Sequence, residues 1–129
     1  MGYPKRSYVE HAAVRVKDLA WHVRFFREAL GMPVVRESAG DPKAPKQVWT
    51  VGGVQLIEDL AFDGPEGRLG HLGIMTEDLD AAIAEVERWG VEPLPRGRGW
   101  YALPGGLCIE LIQAKNDAVT RVLSIDPRA

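Results

Sequence analysis

Several features that would reveal a cellular setting are scarce or missing in this sequence. Cys108 is the single cysteine among 129 residues, so no intrachain disulfide can form, which is typical of a protein in a reducing compartment. No run approaches the roughly 18 consecutive apolar residues of a membrane helix. The opening residues MGYPKR lack the apolar segment of a secretion signal. We therefore expect a cytoplasmic protein with no membrane partner.

An excess of basic residues is also missing. Sixteen Lys and Arg residues stand against 18 Asp and Glu residues, giving a formal net charge of −2, and the basic residues are scattered singly along the chain. Because a nucleic-acid-binding surface needs clustered positive charge, we expect no nucleic acid partner. The 46% hydrophobic and 26% charged composition is that of an ordinary globular protein.

The most informative feature that is present is an internal repeat. The segment HAAVRVKDL at residues 11–19 matches HLGIMTEDL at residues 71–79, so that histidine aligns with histidine and aspartate with aspartate. Apolar residues recur at helical spacing after Asp18 and again after Asp78. Each half therefore predicts a helix of about three turns, with the aspartate as its N-cap and a glycine just beyond its end.

Short apolar or alternating runs surround each predicted helix. One run precedes the helix and three follow it, so each half has the order β-α-β-β-β. The predicted strands are residues 8–16, 33–37, 47–51 and 54–60 in the first half, and 69–75, 93–96, 100–103 and 107–113 in the second. The expected fold class is α+β with two repeated modules.

Residues 1–129 are expected to form one domain with one hydrophobic core, because the chain is too short for two independent enzymatic domains. Module one spans about residues 8–60 and module two about residues 69–113. The C-terminal tail, residues 114–129, contains a short predicted helix at Ala118–Leu123.

Alternation along the strands places four polar side chains on one face. His11 and His71 lie opposite the apolar residues that would pack under the helices. In the last strand of each module, Gln55 keeps the parity of Glu110 whether the halves are aligned with an offset of 55 or of 53. Two imidazoles, a carboxylate and an amide oxygen suit Zn²⁺, Ni²⁺, Co²⁺, Mn²⁺ or Fe²⁺. We therefore predict one divalent metal ion bound by His11, Gln55, His71 and Glu110.

Two alternatives stay open for this set of ligands. A bulge in the last strand of module one would reverse the parity and bring Glu58 to the place of Gln55. A histidine in a strand is, taken alone, more often an ordinary half-buried residue than a ligand. The equivalent positions of both histidines in the repeat favour the metal site. His22, in the first helix, is expected to be a surface residue without a role.

These residues resemble the vicinal-oxygen-chelate superfamily, which includes glyoxalase I, methylmalonyl-CoA epimerase, extradiol dioxygenases and bleomycin-resistance proteins. The resemblance covers residues 8–113. It depends on HAAVRVKDL at 11–19, Ala29-Leu30-Gly31-Met32, GHLGI at 70–74 and Ile109-Glu110-Leu111. It implies a cupped mixed sheet that surrounds the metal, and a homodimer, since members of this length are commonly dimers.

The resemblance also implies an activity. The order His, Gln, His, Glu is similar to the ligand set of methylmalonyl-CoA epimerase, whereas the length and tight loops resemble glyoxalase I. Arg15 matches an arginine with which glyoxalase I binds its substrate. The implied enzyme is a metal-dependent lyase or isomerase of glyoxalase type. It would transfer a proton next to a metal-bound carbonyl through an enediolate, with Glu110 as ligand and, when displaced, general base.

Two further functions are compatible with the same residues. In an extradiol-type dioxygenase, His11, His71 and Glu110 alone would hold Fe²⁺ or Mn²⁺, and Gln55 would only line the cavity. In a small-molecule binding or resistance protein the site would sequester its ligand, although a pure binder has no need for converging metal ligands. In all three cases the partner is a small molecule.

Overall fold

The computed structural model describes residues 2, 4–64, 66–104 and 106–128, so Ala129 of the predicted tail lies outside the described residues. Strands and helices alternate in the order that the repeat predicts. The elements are β1 (Ser7–Val16), α1 (Leu19–Leu30), β2 (Val34–Glu37), β3 (Gln47–Thr50), β4 (Val54–Glu58), β5 (Leu69–Thr76), α2 (Leu79–Arg88), β6 (Glu92–Pro93), β7 (Trp100–Ala102), β8 (Cys108–Gln113) and α3 (Ala118–Leu123).

The strands form a mixed sheet in the order β2-β3-β4-β1-β5-β8-β7-β6. Strands β1 and β4 pair in parallel, as do β5 and β8, whereas the β2–β3, β3–β4, β6–β7 and β7–β8 pairs are antiparallel. This confirms the α+β fold class and the β-α-β-β-β order of both modules. None of the helices within the described ranges is long and apolar enough to cross a membrane.

One strand prediction is wrong in its extent. The run 93–96 was expected to be a strand, whereas β6 contains only Glu92 and Pro93. Pro95 explains the early end, because a proline has no amide hydrogen to donate to a neighbouring strand. The other strand ends lie within one or two residues of their predicted positions.

The helix ends follow the predicted capping. Asp18 accepts a hydrogen bond from the Trp21 amide over 3.0 Å at the start of α1, and Asp78 accepts one from the Ala81 amide over 3.1 Å at the start of α2. Gly31 ends α1 with a φ of 68°, a left-handed conformation that glycine adopts without steric cost. These contacts confirm both aspartates as N-caps.

The chain divides into two compact units. The central unit is His11–His71, and the terminal unit combines the residues before His11 with those from Leu72 onward. The boundaries therefore fall inside β1 and inside β5. That residues 1–129 act as a single domain stays a prediction.

Each unit has its own apolar core beside its helix. In the central unit Val16, Leu19, Val48 and Leu56 are buried together. In the terminal unit the buried cluster is Ala82, Tyr101, Ile109 and Leu111. Since side chains alternate along a strand, the residues next to these core positions in β1, β4, β5 and β8 point to the opposite face.

Candidate metal centre

In the central unit, the pairing of β1 with β4 places His11 and Gln55 on one face. Ala13 lies opposite Gln55 in the register, and His11 precedes Ala13 by two residues on the same face of β1. Both polar side chains are buried, with only 6% of His11 and 3% of Gln55 exposed. The same register is regular to the end of β4 and pairs Glu58 with core residue Val16. Glu58 therefore points to the helix side, and the bulge that would have replaced Gln55 with Glu58 is not formed.

The pairing of β5 with β8 repeats this arrangement with a carboxylate. Strand β5 pairs with β8 so that Gly73 lies opposite Glu110, and His71 precedes Gly73 by two residues. In each parallel strand pair, a histidine is thus followed two residues later by a small residue. This small residue lies opposite an oxygen donor of the predicted set, which is Gln55 in one pair and Glu110 in the other. The register supports the alignment of Gln55 with Glu110.

Three ligand atoms converge on one point. The Nε2 atoms of His11 and His71 are 3.0 Å apart, and their rings meet nearly at a right angle, 86°. Two nitrogens that each lie about 2.1 Å from one ion are about 3.0 Å apart when the bonds are perpendicular. One ligand atom from each of His11, His71 and Glu110 lies within 4.8 Å of the others. Two imidazoles and a carboxylate form a candidate site for a divalent transition metal.

Gln55 carries an unsatisfied oxygen. Its Nε2 donates a hydrogen bond of 2.6 Å to Gln47 Oε1. Its Oε1 is the one buried side-chain nitrogen or oxygen that lacks a hydrogen-bond partner among the residues that the structure describes. A buried carbonyl without a partner is costly, and such an atom usually marks an unseen ion, water or function. A metal ion would satisfy this oxygen, so Gln55 fits the predicted ligand set.

Arg15 and His22 have partners within the fold. Arg15 Nη1 donates to the carbonyl oxygens of Gly67, over 2.5 Å, and Leu69, over 3.5 Å. Part of its guanidinium therefore stabilises the segment that leads into β5, and substrate binding by Arg15 stays a prediction. His22 Nδ1 donates to the Asp18 carbonyl over 2.6 Å within α1.

Sequence reasoning did not place two tryptophans beside the candidate ligands. Trp49 lies opposite Gln55 in the β3–β4 register, and Trp100 lies opposite Glu110 in the β7–β8 register. The Arg96 guanidinium lies 5.0 Å from the centre of a Trp100 ring, within reach of a cation–π contact. Alternation identifies the face of a residue but not its neighbour on the next strand, so these pairs could not be predicted from the sequence.

A separate cavity of about 1000 Å³ lies in the central unit. Its walls are α1 and the segment from Glu37 to Val48, with basic side chains from Arg24, Arg27 and Lys46. None of the four predicted ligands lines it. The cavity is therefore no part of the candidate metal centre.

A family model described as the Glyoxalase/Bleomycin resistance protein/Dioxygenase superfamily matches residues 8–102. No curated protein matches the chain. Among solved structures, a methylmalonyl-CoA epimerase from Mycobacterium tuberculosis has a TM-score of 0.61 at 23% identity, covering 87% of this chain and 91% of that one. A hypothetical protein from Bacillus halodurans C-125 has a TM-score of 0.61 at 20% identity, covering 87% and 97%. A methylmalonyl-CoA epimerase in complex with methylmalonyl-CoA and NH4+ has a TM-score of 0.60 at 22% identity, covering 84% and 94%. These structural likenesses concern the fold.

Proposed function

The chain belongs to the glyoxalase/bleomycin resistance protein/dioxygenase superfamily, and from this premise we propose that it is a divalent-metal-dependent isomerase or lyase. Its reaction would move a proton to and from a carbon next to a carbonyl group. The observation that carries the proposal is the convergence of His11, His71 and Glu110 within 4.8 Å.

The four proposed donors suit a divalent metal ion that stabilises negative charge on the substrate. His11, His71 and Glu110 would hold the metal together with the unsatisfied Oε1 of Gln55. One anionic and three neutral donors leave a divalent ion with a net charge of about +1, so it would stabilise negative charge that develops on a substrate carbonyl oxygen. We propose Zn²⁺, Ni²⁺, Co²⁺, Mn²⁺ or Fe²⁺ as the ion.

A residue of the protein would transfer the proton. A carboxylate oxygen of Glu110 would accept the proton from the substrate carbon and return it to the same or the neighbouring carbon, as a general base and then a general acid. Ala13 and Gly73 lie at the strand positions opposite Gln55 and Glu110, so no bulky side chain stands at these positions against the two groups. The two buried histidines would remain as ligands while the Glu110 carboxylate turns from the metal ion to the substrate.

Arg15 is proposed to bind an anionic group of the substrate. It shares its face of β1 with His11, since the two residues are separated by four positions. It would use the guanidinium nitrogens that do not contact Gly67 and Leu69. We also propose that the protein acts as a homodimer in the cytoplasm on a small molecule.

A dioxygenase is the second candidate function. A group of two histidines and one carboxylate is the facial triad of non-haem iron oxygenases. In this reading Gln55 is not a ligand. The unsatisfied Gln55 oxygen favours the four-ligand isomerase, because a wall residue in a buried position would be expected to pair both ends of its amide.

The test begins with metal analysis of the purified protein and continues with three substrates. Proton transfer on a methylmalonyl thioester, followed as deuterium uptake in D₂O by NMR, or conversion of methylglyoxal hemithioacetal would support the proposal. Activity should disappear with a chelator and return with a divalent ion. Oxygen consumption on a catechol without either proton-transfer reaction would replace the isomerase with the dioxygenase. Metal-free protein that cannot be loaded with any of the five ions would contradict both.

A further inference from the structure

We infer that Gln47 is a positioning residue that holds the Gln55 amide with its carbonyl oxygen free for the metal ion. The inference rests on the proposed function, because it requires Gln55 to be a ligand. It concerns a residue that lies outside the ligand set and that neither alignment of the repeat singles out.

The contact between the two glutamines is short and is built on regular strands. Strands β3 and β4 are antiparallel, with Trp49 opposite Gln55 and Gln47 opposite Ile57. Because Gln47 and Gln55 share a face of this strand pair, their side chains meet diagonally. Gln47 Oε1 accepts a hydrogen bond of 2.6 Å from Gln55 Nε2, just below the ordinary range of about 2.7–3.2 Å for an amide donor.

The backbone of Gln47 is itself fixed. Its amide donates to Ser38 Oγ over 3.1 Å, and its carbonyl oxygen accepts from the Ser38 amide over 2.9 Å. Gln47 also lies at the start of β3, where the chain returns from the loop after β2. The backbone that carries the acceptor facing Gln55 is therefore held by two hydrogen bonds to Ser38.

Orientation matters because the two ends of an amide have opposite chemistry. The carbonyl oxygen has lone pairs for a metal ion, whereas the NH₂ group only donates. The terminal torsion of glutamine is broad and roughly two-fold, so a lone Gln55 would populate both orientations. With Gln47 Oε1 as its neighbour, the reversed orientation would place two carbonyl oxygens against each other. The contact thus selects the orientation that presents Oε1.

The second module has a different residue type at the corresponding place. Trp100 corresponds to Trp49, and the residue two positions before it is Arg98, whose guanidinium contacts the Asp80 carboxylate. The candidate ligand there is Glu110, whose two carboxylate oxygens are equivalent, so its orientation needs no such selection. The acceptor Gln47 Oε1 thus occurs beside Gln55, the proposed ligand that is an amide. This is expected if Gln47 orients that amide.

The test uses three variants and titrates each metal-free protein with Mn²⁺ or Co²⁺ alone, by calorimetry. Gln47→Met keeps the length of the side chain but removes the strong acceptor, and should weaken metal binding about 10-fold or more, as loss of a supporting hydrogen bond does at metal sites. Gln47→Glu keeps an oxygen that can only accept, so it should bind the metal at least as tightly as the wild type. Lys46→Met, at the adjacent residue, should leave the affinity unchanged.

A second readout is independent of metal. The side-chain NH₂ protons of Gln55 in metal-free protein should exchange slowly with water by NMR in the wild type and in Gln47→Glu, and faster in Gln47→Met. If Gln47→Met does not fold, two other results would overturn the inference. One is rapid exchange of the Gln55 NH₂ protons in the wild type, and the other is weakened metal binding in a folded Gln47→Glu protein.

The two proposals can fail separately. Unchanged metal affinity in Gln47→Met, with metal lost in Gln55→Ala, overturns the role of Gln47 and leaves the proposed function intact. Wild-type protein that binds neither ion overturns both. Weakened binding in Gln47→Met that Gln47→Glu restores is the expected result.

Discussion

The buried polar side chains of this protein fall into two groups with different reasons for burial. Thr50 and Thr76 each donate their hydroxyl to a main-chain carbonyl, of Val54 and Ile112 respectively, so their burial is satisfied within the sheet. The other buried polar residues in the described ranges are His11, Gln55 and His71. These share the face opposite the helix-packed cores, together with half-buried Glu110. Burial of polar groups is costly unless something binds them. In the second group, Gln55 Oε1 has no hydrogen-bond partner among the described residues, and a metal ion would satisfy it.

Removing either histidine tests the site at its centre. His11→Ala and His71→Ala should each reduce metal affinity by more than about 100-fold, since loss of a ligand exceeds the 10–100-fold effect of a supporting residue. The measurement is metal content by plasma emission after dialysis. His22→Ala is the matched control and should retain the metal, because the His22 ring lies against the Asp18 carbonyl and the Trp21 ring, neither of which belongs to the predicted ligands. Full occupancy in either ligand variant would rule the site out.

Gln55 separates the isomerase from the dioxygenase. Gln55→Glu adds a second anionic donor and lowers the net charge of the metal complex from about +1 to about 0. Metal should bind at least as tightly, while proton-transfer turnover falls or shifts its metal preference. Gln55→Ala should weaken metal binding if Gln55 is a ligand. Unchanged affinity in Gln55→Ala, with oxygen consumption on a catechol, would decide for the dioxygenase.

Strand parity explains why the candidate residues could be predicted and their neighbours could not. Parity alone favours Gln55 over Glu58, and the regular register of β4 agrees with that parity. The contacts of Gln55 with Gln47 and Trp49 depend on how β3 aligns with β4. That register is set by the turn between the strands, and alternation carries no information about it.

At the scale of elements, the repeat predicted the helices better than the short strands. Both helices have a local start signal, an aspartate that caps the first turn, and an apolar stripe with helical period. Strand β6 has neither. Its extent depends on Pro95 and on pairing with β7, which lies several residues away in the sequence. A two-residue strand at the end of a sheet is defined by its pairing with the neighbouring strand, so the sequence alone predicts a longer strand than the structure has.

The capping contact of α1 leads to a stability prediction. Asp18→Ala removes the acceptor for the Trp21 amide and should lower the free energy of unfolding by about 1 kcal/mol. Asp18→Asn should be nearly neutral, because asparagine is an equally good N-cap. Urea denaturation followed by circular dichroism measures both. Equal stability of Asp18→Ala and the wild type would mean that the cap contributes nothing to α1.

The contact between Arg6 and Glu77 predicts a pH dependence in the terminal unit. The Arg6 amide and guanidinium both donate to the Glu77 carboxylate, over 2.6 and 3.2 Å, and these hydrogen bonds lower the pKa of Glu77 below its ordinary value. A lowered folded-state pKa stabilises the protein above the unfolded-state pKa of about 4.3, and this contribution is lost as the pH falls through the folded-state pKa.

Glu77→Gln isolates this contribution. The free energy of unfolding of the variant should be lower than that of the wild type at pH 7, and the difference should shrink as the pH falls below about 4. Chemical denaturation at several pH values measures it. The Arg6 guanidinium also donates to Thr120 in α3, so Thr120→Val provides a control that removes one partner of Arg6 without a titrating group. A constant difference across the pH range would contradict the assigned cause.

At the scale of the whole molecule, the family assignment and the register describe the same duplication. In each half a parallel strand pair presents a histidine and, one strand away, an oxygen donor. The halves differ in the chemistry of that donor, an amide in one and a carboxylate in the other. In the proposed function, this difference would set the net charge of the bound ion, and with it the reaction that the site favours.

The last prediction is that the protein is a homodimer. Strands β2 and β6 end the sheet order, and an unpaired strand edge readily pairs with another chain. Large apolar side chains are also exposed, among them Val35 in β2 at 64% and Trp89 after α2 at 75%, and an interface would cover such residues if they lay within it. Light scattering at micromolar concentration should therefore give a mass near twice 14.2 kDa.

Two variants show which surface forms that dimer. Val35→Lys places a charge on the β2 edge and should yield monomers if that edge lies in the interface, because charged side chains on an edge strand oppose pairing. Trp89→Lys applies the same change beyond α2, and it should have this effect only if the partner covers that side of the terminal unit. A dimer unaffected by both would have another interface. A wild-type mass of 14.2 kDa at every concentration tested would contradict the prediction, since exposed edge and apolar residues would then be stable in water without a partner.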